Sequence, residues 1–342
     1  MTVLYATSWE AGSIAWYTAQ SPALWSGNAS ISSTVANLHR NAASQGGNYS
    51  AVQDDNWSCA AGTVVAGTAR WLHFWMKPGA GGGTLNTQLA RAGVLQLQVR
   101  FLSNGKIELY RGATLLVPTG AARFNPWVAH WVAIEATCLD AGGVLNVYVD
   151  NVLVASFAGD TKAHATLTNW DQWGWGSPWG SGLVNQNYIV DDVIVTDVTT
   201  GKVTEKMAYP ILANGDSAPL LLTPSTGVTH FSLIDEIPLS DADYNSTGTT
   251  LFEDFYTWTV PPTAASILTV LFNARASNDA GLTQGQIGVR NVVTTVYQPL
   301  VTLAVFPLFT DTTYILDTDP DTGLAWTNAG LATVRAGYRF AA

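Results

Sequence analysis

The sequence predicts an all-β protein built as two successive antiparallel sandwiches, and three observations carry that prediction. Apolar and polar side chains alternate with a period of two through short runs bounded by Gly, Asn, Asp and Pro. Those runs are rich in β-branched and aromatic residues, with hydrophobic residues at 47% of the 342 and aromatics at 11%. No stretch of a dozen residues shows the spacing of an amphipathic helix.

The first half supplies two hairpins. Val94 to Phe101 alternates, Asn104-Gly105 marks a tight turn, and Lys106 to Arg111 alternates back. Val144 to Val149 runs into Asp150-Asn151, both tolerant of positive φ, and returns as Val152 to Phe157. Trp127 to Ala136 and Tyr188 to Thr196 add two further strands. In the second half Thr250 to Val260, Ile267 to Ala274, Ile287 to Tyr297 and Ala332 to Phe340 are β-type runs, separated by Pro261-Pro262, Asn278 to Gly281 and Asp317 to Gly323.

Charge and tryptophan divide the chain. Up to residue 212 there are 13 acidic and 11 basic residues, net −2; residues 213–342 hold 12 acidic and 4 basic residues, net −8, with no lysine. Twelve of the 14 tryptophans precede residue 212. The expected organisation is a first domain over 1–205, a linker over 206–212 and a smaller sandwich over 213–342.

Composition also excludes function classes. Charged residues make up 12%, against about 25% in ordinary soluble domains, and a net charge of −10 with 15 scattered basic residues argues against nucleic acid as a partner. The opening MTVLYATSWE lacks the basic and apolar runs of a secretory signal. Leu303 to Phe309, interrupted by Pro307, is far short of the ~20 residues that cross a bilayer, so no membrane insertion is expected. Cys59 and Cys138 lack metal-ligand spacing and read as free buried thiols or as one disulfide.

His73 to Pro78, Gly105 to Arg111, Trp127 to Glu135, Asn146 to Val154 and Tyr188 to Val195 together resemble, in their order, the laminin-G-like, concanavalin A-like jelly roll. That family carries W-H-x-V-x-V, V-Y-V-D-G and I-D-D-V-x-V strands; here His130-Trp131 reverses the first pair and Asn151 replaces the turn glycine. Tyr209-Pro210, Asn214 to Asp216, Leu222 to Gly227, His230, Leu233 to Glu236 and Asp317 to Trp326 resemble a pattern in virion structural proteins of tailed bacteriophages and prophages, where it follows a laminin-G-like domain. The resemblance implies a non-enzymatic particle protein in head decoration, fibre, spike or tail tip. Its partners are other virion proteins and further copies of itself, most simply as a trimer, and its displayed domain contacts a host-surface glycan. The alternative is a soluble carbohydrate-binding module or a glycoside hydrolase of concanavalin A-like fold.

Catalytic motifs are missing. The Glu-x-Asp-x-x-Glu strand of the hydrolase branch has no counterpart, and neither a G-x-S-x-G elbow nor H-E-x-x-H occurs, so no catalytic residue is nominated. Two weaker constellations remain. Trp170, Asp171, Gln172, Trp173, Trp175 and Trp179 form a glycine-interrupted tryptophan segment that reads as sandwich core, as a subunit contact or as a glycan-stacking platform. Asp317, Asp319 and Asp321 are spaced like the start of a calcium loop, and Asp241, Asp243 and Asn245 repeat the spacing; calcium is the one cofactor to consider, against solvated turn residues.

Overall fold

Alternation becomes strand pairing in the computed structural model of the chain, which describes residues 3–7, 30–32, 50–53, 59–63, 69–78, 83–118, 120–176, 179, 188–204, 213–227, 229–234, 243–259, 266–278, 281–305 and 310–341. Asp241 and the tryptophans at 9, 16, 25 and 57 lie outside these residues. Contacts divide the chain into two units, Met1–Ala208 and Tyr209–Ala342.

The described strands of the first unit are β1 Val3–Thr7, β2 Ser30–Ser32, β3 Ser50–Gln53, β4 Cys59–Thr63, β5 Ala69–Pro78, β6 Leu85–Arg91, β7 Val94–Phe101, β8 Ile107–Arg111, β9 Thr114–Val117, β10 His130–Ala136, β11 Gly143–Val149, β12 Val152–Gly159, β13 Gln172–Trp175 and β14 Tyr188–Asp197. One sheet runs β12-β11-β10-β5-β14-β3-β2 with β1 also on β14; the other runs β4-β13-β6-β7-β8-β9. All pairings are antiparallel and the chain crosses repeatedly between the sheets, which makes the unit a jelly-roll sandwich. Leu72, Phe74 and Met76 of β5 face Leu97, Val99 and Phe101 of β7 across one continuous core.

Both expected hairpins form, with different turns. Asp150 (φ 50°) and Asn151 (φ 68°) make a two-residue turn with both residues left-handed. The Asn104-Gly105 hairpin instead closes a three-residue loop, Leu102 N–H donating to Lys106 O (2.9 Å) and Gly105 at φ 78°. A side chain at Gly105 would strike the Phe124 carbonyl, so glycine is required there.

Strand β5 is buried on both faces. On the side away from the core the His73 ring lies between Trp71 and Trp131, each centroid 6.0 Å away and nearly parallel. Residues 201–204 cross this face: His73 Nε2 accepts from Val203 N (3.0 Å), Trp131 Nε1 donates to Val203 O (3.2 Å), and Lys202 Nζ stands 4.4 Å over the Tyr148 ring. His73 Nδ1 faces Ile194 O at 3.3 Å, which fixes the neutral tautomer with its proton on Nδ1.

The second unit contains β15 Ala213–Leu220, β16 Thr223–Pro224, β17 Asn245–Ser246, β18 Glu253–Trp258, β19 Val270–Ala276, β20 Gln284–Arg290, β21 Thr295–Tyr297, β22 Val301–Thr302, β23 Thr310–Leu316, the short helix α1 Asn328–Thr333 and β24 Arg335–Ala341. One sheet runs β15-β18-β24-β20-β21 with β22 on β20, and β19 pairs with β23. Val270 and Phe272 of that pair meet Ile287, Val289, Ala336, Trp326 and Leu331 in a second core.

The structure departs from the sequence pattern at four places. Ile287 to Tyr297 is two strands around a turn at Asn291 to Thr294, not one run. Ala332 to Phe340 begins in α1, which is capped by Thr327 Oγ1 accepting from Gly330 N (3.0 Å) and is too short for a periodic signal. Asn214 to Asp216, turn-type residues by composition, belong to β15, an edge strand whose register shifts make room for them. Thr310 to Leu316 is a strand the periodicity did not mark.

Burial drives the His73 pKa down to about 3, against a small upward pull from the Ile194 carbonyl and a further downward push from Lys202. The folded value is depressed below the unfolded ~6.5, so the stabilising contribution is complete above pH ~6.5 and is lost as pH falls towards 3. Between pH 7 and 5 this group alone is expected to remove about 2 kcal/mol of unfolding free energy. Urea titrations of the wild type and His73→Gln at the two pH values check it: the pH-dependent loss shrinks by about that amount in the variant.

Candidate functional site

The tryptophan segment separates by strand alternation. Trp173 and Trp175 lie two apart on β13 and point into the sandwich, Trp170 enters the same core just before the strand, and all three are 0% exposed. Phe74 meets Trp175 edge-on at 5.6 Å, Trp170 meets Trp173 at 6.5 Å, and Trp170 Nε1 donates to Ala136 O (3.1 Å). A glycan-stacking platform or subunit contact made from these three indoles is thereby corrected: their faces are consumed by the protein's own interior. Asp171 is held against Arg91 (3.4 Å), and Gln172 Oε1 accepts from Gly93 N (2.6 Å) to close the β6–β7 turn. These two polar residues are structural as well.

Trp179 goes elsewhere. The chain leaves β13 at Gly176 (φ 85°), where Gly176 N donates to Asn86 O (2.9 Å) and Asn86 Nδ2 to Gly176 O (2.6 Å), and Trp179 N then donates to Gln88 Oε1 (3.2 Å). Asn86 and Gln88 alternate with core-facing Leu85 and Leu89 on β6, so the half-buried Trp179 is fastened over the outer face of the six-stranded sheet.

That face is polar throughout its centre. Cross-strand register sets Asn86, Arg100 and Glu108 in one row and Gly174, Gln88, Gln98 and Tyr110 in the next. Gln88 Nε2 donates to Gln98 Oε1 (3.5 Å), and Gln98 Nε2 to Gly112 O. Arg100 lies over the Tyr110 ring at 3.9 Å and donates to its hydroxyl (2.9 Å), which donates on to Glu108 Oε2 (2.8 Å). Burial first, then the Glu108 hydrogen bond, raises the Tyr110 phenol above its usual value, so it remains a neutral donor. The row is closed over at Asn86, Gln88 and Gln98 and open at Arg100 and Glu108, whose side chains are 15% and 17% exposed. Arg100 Nε, shut off from solvent, has no hydrogen-bond partner among the described residues. Planar donors and acceptors at fixed angles are what recognition of sugar hydroxyls requires.

A second polar cluster was not anticipated. Asp254, fully buried, accepts from Leu221 N (2.7 Å), Leu222 N (2.9 Å) and Tyr256 OH (3.1 Å) and meets His230 Nδ1 at 2.5 Å. Asn245 Nδ2 donates to Tyr256 OH and to His230 O, both at 3.0 Å. The Thr229 and Ser232 hydroxyls bond to each other at 2.8 Å, and the His–Asp pair fastens the 229–234 turn to β18 while Asp216 accepts from the His230 and Phe231 amides. Cys138 is a free buried thiol whose pKa burial pushes up to about 12, which leaves it inert.

The aspartate spacing at 317–321 serves the β20–β21 turn. Asp319 accepts from Asn291 Nδ2 (2.8 Å) and from Asp321 N (2.9 Å), while Asp321 accepts from the Val293 and Thr294 amides. These amides hold the Asp321 carboxyl below its usual range in spite of an opposing desolvation effect. Among the described residues no group of three or more His, Cys, Asp or Glu side chains stands together as a metal site requires. Asp317, Asp319, Asp321 and Asp243 form no such group among the described residues, and Asp241 lies outside them.

No family model and no curated protein matches the chain. Among solved structures it is similar to a galectin from Caenorhabditis elegans at 12% identity and TM-score 0.30, over 40% of this chain and 89% of that one. It is also similar to an endo-β-1,4-glucuronan lyase from the fungus Trichoderma reesei (12%, TM-score 0.39, 58% and 96%) and to a carbohydrate-binding module from Bacillus subtilis (9%, TM-score 0.32, 49% and 92%). What the chain does has to follow from its own residues.

The two structural assignments give measurable costs. Trp175→Ala is expected to lose about 3–5 kcal/mol in chemical denaturation, as a large aromatic removed from a core does. Asp319→Ala should lose about 2 kcal/mol by orphaning Asn291 and a turn amide, whereas adding calcium to the chelator-treated wild type should leave its melting temperature unchanged.

Proposed function

We propose that the chain is a non-enzymatic structural protein of a tailed-bacteriophage particle, whose first unit presents the outer face of its six-stranded sheet to a saccharide on the host surface. The Arg100–Tyr110–Glu108 cluster is the observation that carries the saccharide part. A guanidinium fork, a phenol and a carboxylate offer donors and acceptors at fixed angles. An indole adds apolar contact to the carbon face of a sugar ring. The particle part is supported by the likeness of residues 209–326 to virion proteins, and copies of the chain associate as a symmetric homo-oligomer, a trimer in the simplest case.

A glycan array probed with the wild type, Arg100→Gln and Trp179→Ala tests the face. Selective binding that weakens at least about tenfold in each variant, with melting temperature nearly unchanged, is the expected result. Wild-type protein that binds no saccharide, or variants that bind equally well, would remove this assignment. Mass spectrometry of purified particles tests the virion reading separately.

A further inference from the structure

We propose that the arginine-paved face of the second unit's sheet is the surface on which copies of this chain associate, the guanidiniums of one copy meeting carboxylates on the next. The proposal rests on the homo-oligomer reading above and names the surface that builds it.

Residues 213–342 contain four basic residues, Arg275, Arg290, Arg335 and Arg339. Register puts three of them on one face. Arg290 of β20 lies directly opposite Arg335 of β24, and Gln286 opposite Arg339. Glu253 of β18 is in turn opposite Arg339, and Tyr297 of β21 is opposite Gly288. The alternate residues, Ile287, Val289 and Ala336, face the core, so this set faces away from it.

Like charges directly opposite each other on a sheet are destabilising. The guanidiniums are held apart by reaching in different directions. Arg290 crosses to Phe255, 4.9 Å from its ring, and donates to Ala218 O (2.6 Å); Arg339 lies 3.6 Å over Tyr297 and donates to Gln286 Oε1 (2.7 Å); Arg335 donates to Thr333 O and Val334 O, both 2.9 Å. Glu253, the one carboxylate in the set, accepts from Tyr297 OH (2.9 Å). None of the three arginines forms an ion pair within the described residues, and each keeps N–H groups without a partner there.

Charge complementarity then selects the occupant. The face is cationic in a half of net −8 within a chain of net −10, so the chain's own remaining surface carries the charge it fits. Arg335 and Arg339 are four residues apart on one strand, about 13 Å, and the Gly288–Gly337 pair lies between the two arginine positions, so the positive charge is spread along the sheet rather than gathered at one point. A cationic face meeting a different, acidic face is a heterologous contact, and such contacts close into rings of cyclic symmetry, a trimer being one.

Size-exclusion chromatography with light scattering of the full chain tests this at low and high ionic strength. The wild type is expected to be an oligomer. Arg335→Glu and Arg290→Gln should raise its dissociation constant at least about tenfold, while Arg335→Lys keeps the charge and most of the assembly; unchanged circular dichroism and melting temperature exclude misfolding. An oligomer unaffected by Arg335→Glu overturns the proposal and leaves the homo-oligomer reading standing. A wild type that stays monomeric at every concentration overturns both. Arginine variants that stay oligomeric yet lose binding to an acidic polysaccharide assign the face to a saccharide and also overturn it.

Discussion

The edge-on contact of Phe74 with Trp175, which joins the two sheets of the first unit, is the interaction on which the rest of that unit depends. Phe74 sits at the middle of β5 with Phe101 also edge-on at 6.4 Å, and Trp175 is the last residue of β13. Once Trp173 and Trp175 are committed inward, alternation commits Gly174 outward, beside Gln88. The chain then has to leave the core at Gly176, and the bonds it makes to Asn86 and Gln88 carry Trp179 onto the opposite face. One aromatic packing decision inside the sandwich thus determines which residues are available outside it.

The scarcity of charge has a related cause. In an ordinary sandwich the outer faces of both sheets are wet and need charged residues. Here the chain covers parts of its own outer surface: residues 201–204 cover His73 and Trp131 on one sheet, and Gly176 and Trp179 bond to Asn86 and Gln88 on the other. Covered faces are paved with amides and a neutral imidazole, which satisfy one another by hydrogen bonds without the desolvation cost of ions. A neutral, fully buried His73 is the mark of that arrangement, since its ring accepts from the strap's backbone only while unprotonated.

Strands were legible wherever one face was wet, as in β11, whose burial alternates residue by residue. They were not legible where both faces are covered or where turn-type residues sit in an edge strand, as in β15. The spacing of Trp173 and Trp175 by two was itself a strand signal, hidden because glycines on either side resembled a loop. The Arg100–Tyr110–Glu108 cluster was concealed by a single residue of register. A two-residue Asn104-Gly105 turn pairs Arg100 with Leu109, whereas the three-residue loop that forms pairs it with Glu108. Clusters such as His230–Asp254, 24 residues apart, depend on tertiary contact and leave no local pattern.

Arginine rather than lysine at positions 290 and 339 follows from the geometry of the second unit's sheet. Arg290 has to pass over a neighbouring strand, lie against Phe255 and still donate to a carbonyl of β15; Arg339 has to cover Tyr297 while its Nε binds Gln286. A planar guanidinium stacks on a ring and donates in its own plane at once, whereas an ammonium is a hydrated point that does one or the other. Gly288 and Gly337 are part of the same device, because a side chain at Gly288 would collide with Tyr297 and one at Gly337 with the Asp254 backbone. The aromatic rings therefore lie directly on the sheet with Arg290 and Arg339 over them, and exchanging either of these two for lysine keeps the charge but gives up the contact that positions it.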